Sequence, residues 1–303
     1  MRYLLTLAWI WLLASACGTP VSDYHVKTGG NRELLGTDLI SRYTVRLHIL
    51  VKPDAQKVWT GGCSGTLLSP QYVLTAAHCV TLNPWRIKVV VGDTHPIELD
   101  NGKVYTEVAE VEAAMFHRRF NSSKLAWKML AKPLFLKTQK AAFDVAVLKL
   151  RRPLNLPYRV DFTIPKTTFS LKGQEAIVAG YGAGDMGQVP SRGRQAKTKI
   201  ADDFYDLLQF NNFFKRMNFG DSGGPVWRFA DNGELELIGV NSFMLWLLRM
   251  RTYAIDIRHY RQWIYDAIAS LKSGYHQPLT KEQQMHRLIM TGVAEDLFLD
   301  AHR

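Results

Sequence analysis

The run Gly220-Asp221-Ser222-Gly223-Gly224-Pro225 constrains this chain more than any other stretch. Its serine stands among small residues, which suits a nucleophile on a tight turn. Because the flanking glycines lack a Cβ atom, a substrate backbone can come close to that turn. The N–H groups of Gly220 and Ser222 could both point at the place where a carbonyl oxygen becomes an oxyanion. A Gly-rich surface turn is the alternative interpretation, unless the chain also supplies a base and an acid that orients it.

Two upstream segments supply such a base and acid. Thr75-Ala76-Ala77-His78-Cys79 comes first, and Phe143-Asp144-Val145-Ala146-Val147-Leu148-Lys149-Leu150 lies between it and Ser222. The three segments resemble the catalytic segments of the trypsin/chymotrypsin-like serine proteases, of the secreted, bacterial type, in the order His, Asp, Ser along the chain. The resemblance covers roughly residues 34–270. It implies an all-β fold of two six-stranded antiparallel β-barrels with a C-terminal helix.

The resemblance also implies a role for each residue. Ser222 is the nucleophile, His78 is the base that moves its proton, and Asp144 orients the imidazole. The amides of Gly220 and Ser222 form the oxyanion hole. The resemblance further implies protein or peptide substrates, and it implies neither a metal nor a cofactor. Two rival functions remain open: a catalytically silent binding protein on the same fold, and an esterase that uses the same triad.

The N-terminus predicts export from the cytoplasm. Residues 1–16 have an arginine, a short apolar run and small residues at a cleavage site, as a secretory signal has. The apolar run is too short for an ordinary membrane span. Cleavage after Ala16 is one interpretation. The other is lipid attachment at Cys17, because Leu13-Ala14-Ser15-Ala16-Cys17 resembles a bacterial lipobox, although Ala14 stands where leucine is preferred. The mature protein is then either secreted or periplasmic, or tethered to a membrane of the cell envelope through Cys17.

Cysteine usage and charge narrow the compartment and the partners. Cys63 and Cys79 can pair in an oxidising compartment, and the resemblance implies a disulfide that closes the loop beneath His78. Cys17 is left over. The formal net charge is +11, with Lys and Arg scattered and no nucleic-acid-binding motif. We therefore expect no nucleic-acid partner, and attraction to acidic polymers, lipids or substrates. We expect a monomer.

Maturation by cleavage follows from the same resemblance. We interpret residues 17–33 as a linker or propeptide. The family frees an apolar N-terminus, for which Leu34-Leu35-Gly36-Thr37 is the better match and Lys27-Thr28-Gly29-Gly30 the weaker one. The cut would follow Glu33, and the new α-amino group would pair with Asp221, the acid before the nucleophile. The alternative is that Asp221 only caps a local turn.

Four residues fall at the family's pocket for the residue before the cut: Arg216, Ser242, Met244 and Arg251. Arg216 takes the floor, where its charge opposes a cationic substrate side chain. Arg251, with Arg216, could form charge-assisted pairs with an acidic one. We therefore expect cleavage after Asp or Glu. The alternative is that the arginines face solvent and Met244 seals the pocket.

Apolar alternation predicts strands, and two segments fall outside the family pattern. Residues 121–142 form a longer loop than the family has, with partly helical spacing; it would either restrict the cleft or be a solvated surface helix. Residues 271–303 extend past the family's end, with no assigned role. The predicted strands are 43–49, 63–69, 72–75, 86–92, 104–111 and 145–150. The resemblance implies further strands at 174–182, 235–243 and 253–256, followed by a helix that includes 260–264.

Overall fold

The computed structural model describes residues 31–33, 38–52, 58–80, 87–93, 96–99, 101–121, 142–166, 168–182, 193–211, 220–244 and 251–275. These residues form two six-stranded antiparallel β-barrels and a C-terminal helix, so the predicted fold class is confirmed. Several predicted features lie outside the described residues: the signal with Cys17, the new N-terminus at Leu34, Arg216 and most of the 121–142 and 271–303 segments.

The first barrel closes with the strand order β2-β3-β4-β9-β8-β5. It follows a short strand and a short helix, β1 (Asn31–Glu33) and α1 (Leu39–Tyr43). A two-stranded ribbon, β6–β7, is inserted between β5 and β8. The strands are β2 (Thr44–Lys52), β3 (Val58–Ser69), β4 (Tyr72–Thr75), β5 (Ile87–Val91), β6 (Ile97–Glu98), β7 (Val104–Tyr105), β8 (Glu107–Phe116) and β9 (Ala146–Leu150).

The second barrel has the strand order β11-β10-β13-β14-β15-β12 and closes where the far part of β11 pairs with β12. β1 adds to the near end of β11, with Glu33 opposite Arg194. The strands are β10 (Glu175–Gly180), β11 (Arg194–Phe204), β12 (Leu207–Asn211), β13 (Pro225–Phe229), β14 (Leu235–Met244) and β15 (Arg251–Asp256).

The barrels are joined by apolar packing. The ring of Tyr43 lies 5.4 Å from that of Phe162 and 5.8 Å from that of Trp227, which is fully buried. The last helix, α2 (Arg261–Lys272), buries Ile264 and Leu271 from one face and packs on β8 and β9 of the first barrel. The helix thus links the segment that follows the second barrel to the first barrel. None of the described helices has the length and apolarity that a membrane crossing requires.

Most strand predictions match the structure within a few residues, and the differences have local causes. Tyr43 ends α1 instead of starting β2. The predicted strand 104–111 is divided between β7 and β8 at Thr106. β11 was not predicted, although its Ala196, Thr198 and Ile200 point inward and alternate with exposed lysines. A strand half-buried in this way is recognisable from its period of two, even when lysines dilute its hydrophobicity.

Candidate active site

His78 lies on a single 3-10 turn, Ala77–Cys79, directly after β4. Every residue of β4 is buried, so the strand holds the turn in a fixed position at the end of the barrel. Cys79 is bonded to Cys63 of β3, with 6.1 Å between their Cα atoms. The disulfide implied for the loop beneath His78 is therefore present, and it links the turn to a second strand.

Asp144 lies two residues before β9 and is fully buried. One carboxylate oxygen accepts the backbone N–H of His78 at 2.9 Å, and the other lies 2.7 Å from His78 Nδ1. That second oxygen also accepts from Ser242 Oγ at 2.5 Å. Three donors thus satisfy a carboxylate that would be costly to bury alone. They also fix the imidazole with Nε2 directed away from the acid.

The charges of the pair are interdependent. Burial alone would raise the pKa of Asp144, but the charge of His78 and the hydrogen bonds from His78 and Ser242 outweigh it and lower that pKa. Burial alone would lower the pKa of His78, but the charge and hydrogen bond of Asp144 outweigh it and raise that pKa. The site therefore holds a carboxylate beside an imidazole that accepts a proton more readily than free histidine does.

Ser222 lies on the turn that separates the 212–219 segment from β13. Gly223 has φ +84°, and a Cβ atom there would lie 2.1 Å from Thr75 Oγ1, so no larger residue fits. Ser222 Oγ is hydrogen-bonded to the carbonyl of Ser242 at 3.4 Å, and among the described hydrogen bonds it has none to His78.

Ser64 is a residue that the sequence did not single out. Its side chain is fully buried, donates to Gly220 O at 2.7 Å and accepts from the N–H of Tyr181 at 2.8 Å. Its backbone N–H donates to Ser222 O at 2.8 Å. Ser64 of the first barrel thus holds the nucleophile turn of the second on both sides of Asp221. Its place directly after Cys63 was the available signal, because that cysteine anchors the His78 loop.

Asp221 is partly buried, and its carboxylate lies against the end of β10. Its Oδ1 accepts the N–H of Gly182 at 2.6 Å. A Cβ atom at Gly182 would lie 2.3 Å from the Asp221 carboxyl carbon, and one at Gly180 would lie 2.5 Å from Oδ1. Two glycines therefore make room for this carboxylate, which is more than a local turn requires.

The predicted pocket residues are only partly visible. Ser242 and Met244 lie at the end of β14, and the Ser242 hydroxyl donates a hydrogen bond to Asp144. Arg251 begins β15 and is partly buried beside Tyr253. Burial raises the pKa of Tyr253, and the nearby Arg251 opposes that rise. The predicted floor, Arg216, lies outside the described residues.

Among the described residues, Cys63, His78 and Cys79 are the potential metal ligands that lie close enough together to share an ion. The two cysteines are spent in their disulfide, and Nδ1 of His78 is directed at Asp144. Only Nε2 of His78 is left to act as a ligand. This group does not fit a metal, because a zinc site needs three or four free donors.

Comparison with known proteins agrees with this geometry. The family model described as Trypsin matches residues 42–264, which is more than half of the chain. The chain belongs to the trypsin family. This result confirms the resemblance and makes the protein a serine endopeptidase by family; it does not test the bacterial type.

Three mammalian proteins are among the curated relatives of this trypsin-family chain, and all three are distant. Chymotrypsin-like elastase family member 1 of Bos taurus is 25% identical over 263 residues, which cover 79% of this chain and 91% of the relative. Chymotrypsin-C of Rattus norvegicus is 27% identical over 265 residues, covering 78% and 86%. Chymotrypsin-C of Mus musculus is 28% identical over the same length. Such identities leave room for a different specificity.

Proposed function

We propose that this chain hydrolyses peptide bonds by acyl transfer through Ser222, His78 and Asp144. One observation carries the proposal: the buried Asp144 carboxylate lies 2.7 Å from His78 Nδ1 while Ser222 lies on the glycine turn beside Ser242. An isolated buried carboxylate would be protonated or expelled, so its pairing with an imidazole argues for a base that is held ready.

The mechanism assigns each atom a task. His78 Nε2 takes the proton of Ser222 Oγ as Oγ bonds to the substrate carbonyl carbon. The N–H groups of Gly220 and Ser222 stabilise the resulting oxyanion. The imidazolium then gives its proton to the leaving amine as the C–N bond breaks. Water, deprotonated by the same Nε2, hydrolyses the acyl-serine and frees the enzyme.

The test of the reaction is a digest of a mixed peptide library, with cut sites read by mass spectrometry. Protein beginning at Leu34 is compared with its Ser222→Ala variant and with Ser270→Ala, a serine variant on α2 that matches the chemical change. We expect cuts from the parent and from Ser270→Ala only. A folded, processed parent that makes no cut would sink the proposal in favour of a silent binding protein. Turnover of esters without amides would favour an esterase.

We infer further that cleavage after Glu33 activates the enzyme, by pairing the new amino group of Leu34 with Asp221. The support is structural proximity. Glu33 lies opposite Arg194 on β11, and Arg194 donates to Gly182 O at 2.8 Å. The N–H of the same glycine donates to Asp221. Three successive contacts therefore link Glu33 to the Asp221 carboxylate that the freed amino group would meet. Chains that begin at Leu34 should outperform uncleaved chains, and Asp221→Asn should remove the advantage; equal rates would refute this step.

We propose an acidic preference at the residue before the cut, with Arg251 and Arg216 as the recognising cations. The support is the partly buried position of Arg251 on β15, one register step from Met244, which lies opposite Thr252. In the library digest, cuts of the parent should cluster after Asp and Glu. Arg251→Gln should lower those cuts more than others, since it keeps the length but removes the charge. Cuts that cluster elsewhere would discard this preference and keep the protease.

We also propose that the protein acts outside the cytoplasm, either free or tethered through a lipid on Cys17. The leader of residues 1–16 and the Cys63–Cys79 disulfide support this location, because such bonds persist in oxidising compartments. Mass spectrometry of the mature N-terminus distinguishes the two forms. A lipid mass on Cys17 supports the tether, and a free N-terminus after Ala16 supports secretion.

A further inference from the structure

A second concave site lies behind the catalytic acid. It is a cleft of about 550 Å³ between the segment that leaves β8, the residues before Asp144, the β11–β12 hairpin turn and the start of α2. We call it the posterior cleft. Its lining is cationic and aromatic: His117, Arg118, Arg119, Phe143, Tyr205 and Trp263 contribute, with Asp206, His259 and Tyr260.

The cations of the posterior cleft are not neutralised by the residues around them. Arg118 and Arg119 are exposed, and neither forms an ion pair with any carboxylate of the described ranges. Asp206 is the acidic residue in the lining, but it is buried and accepts from the backbone N–H groups of Ala142 and Phe143 and from the Tyr260 hydroxyl. The Asp206 charge is therefore taken up by these donors within the wall of the cleft. Within the described part of the chain, the cleft therefore presents two guanidinium groups that have no carboxylate partner.

The aromatic wall is preorganised. The rings of His117 and Phe143 stack with their centroids 4.9 Å apart, and the guanidinium of Arg119 lies 4.5 Å from the Phe143 ring. The Trp263 ring also packs against His117, with the two centroids 5.4 Å apart. Burial, together with the two arginine charges, lowers the pKa of His117, so this ring is a neutral platform at neutral pH. Arg119 is thus held in place before any ligand arrives, which reduces the entropy cost of binding.

Backbone strain also concentrates in this cleft. Phe143 and Tyr205 have φ of 55° and 56°, and they are the non-glycine residues with positive φ among those described. Such conformations are strained for a residue with a Cβ atom, and they persist where surrounding contacts enforce them. Here the Asp206 hydrogen bonds enforce the first of them. The strain presents both rings to the cleft, which is consistent with a binding role.

We propose that the posterior cleft binds an acidic, aromatic-containing segment of the polypeptide substrate, away from the bond that is cut. Carboxylates would pair with Arg118 and Arg119, and an apolar ring would lie on the wall of His117 and Trp263. The location favours a substrate segment, because Phe143 is bonded directly to Asp144. The role of this site in substrate recognition rests on the proposed endopeptidase function, whereas binding of the segment does not depend on that function.

Binding is measured first, on Ser222→Ala protein, which removes turnover from the experiment. The probe is a fluorescein-labelled peptide of glutamate and phenylalanine, with a matched peptide in which glutamine replaces glutamate. Anisotropy should show binding of the acidic peptide only. Arg118→Glu with Arg119→Glu should weaken it by more than about tenfold, because two charge-assisted pairs become repulsions. Arg159→Glu, an exposed arginine outside the cleft, makes the same charge change and should leave the affinity unchanged.

Three results would overturn the proposal. They are equal affinity of the acidic and neutral peptides, equal affinity of the double reversal and the Arg159→Glu control, and tighter binding of a sulfated oligosaccharide at the same arginines. In the active protein, a substrate peptide extended by the acidic segment should have a lower KM than the same peptide without it. The double charge reversal at Arg118 and Arg119 should abolish that decrease in KM. If binding holds but no peptide is ever cut, the proposed function fails and the site stands.

Discussion

The two barrels contribute to the site in different ways. The first barrel holds a pair of charges in place from within: His78 and Asp144 are joined through side chain and backbone, and a disulfide secures the turn. The second barrel carries Ser222, the proposed nucleophile, on a glycine turn that Ser64 of the first barrel holds through hydrogen bonds. The charge pair is therefore held by contacts within the first barrel, whereas the geometry of the Ser222 turn in the second barrel depends on contacts with the first.

The largest effect should come from breaking the charge pair of the first barrel. Asp144→Asn keeps the shape but offers the imidazole a donor where it needs an acceptor, so the imidazole loses its orientation and its stabilising charge. We expect kcat to fall about 10⁴-fold. Single-turnover kinetics on a peptide cut by the parent checks this. A fall of less than tenfold would mean that Asp144 does not serve catalysis.

Removing the disulfide should test how far the first barrel depends on its covalent link. The bridge joins residues 16 apart, and a loop of that size contributes about 3 kcal/mol to the free energy of unfolding. Cys63→Ala with Cys79→Ala should lose about that amount in urea denaturation. A parent protein measured with reductant is the comparison. An unchanged midpoint would show that packing alone holds the His78 turn.

Ser64→Ala should break the link between the barrels while leaving both of them folded. The variant leaves Gly220 O and the N–H of Tyr181 buried without this partner, at about 1–3 kcal/mol. Because Gly220 belongs to the oxyanion turn, we expect kcat to fall about tenfold with little change in KM.

The matched control for Ser64→Ala is Thr66→Val, two residues along β3. Thr66 is also fully buried, but its hydroxyl has no hydrogen-bond partner within the described part of the chain. It should lose neither rate nor stability. Equal losses from both variants would reduce Ser64 to ordinary packing.

The smallest effect is a shift in pH dependence. Although burial opposes it, the Asp144 charge raises the pKa of His78 above its ordinary value of 6.5. Since the protonated imidazole cannot act as a base, kcat/KM should rise with pH through a midpoint above 6.5. The same raised pKa contributes stability below 6.5, which is lost as the pH rises through the folded value. A rate profile with its midpoint below 6.5 would contradict the dominance of Asp144 over burial.

The Asp144 side of the pair responds at a lower pH. Its pKa is lowered from 3.8, so its contribution to stability is present above 3.8 and is lost as the pH falls through the lower folded value. Denaturation of the parent and Asp144→Asn across this acidic range should converge as the pH falls. Curves that stay parallel would place the stabilising charge on another carboxylate.

Much of the catalytic region was predictable, because its chemistry demands particular residues in short runs. His78, Asp144 and Ser222 were each found within a local motif, and the structure puts the first two in direct contact. The posterior cleft was not predictable. Its lining comes from four separate segments, and Arg118 or Trp263 in isolation has the pattern of an ordinary surface or helix residue.

The sequence by itself determined the family, the barrel strands with a clear period of two and the residues able to do the chemistry, because those features depend on neighbours along the chain. Only the tertiary structure decided that Ser64 holds Gly220, that two glycines make room for Asp221 and that exposed arginines meet an aromatic wall. Ser64 and Gly220 are 156 residues apart in the chain and 2.7 Å apart in space. Contacts of that kind arise when two barrels pack, and no local pattern encodes them.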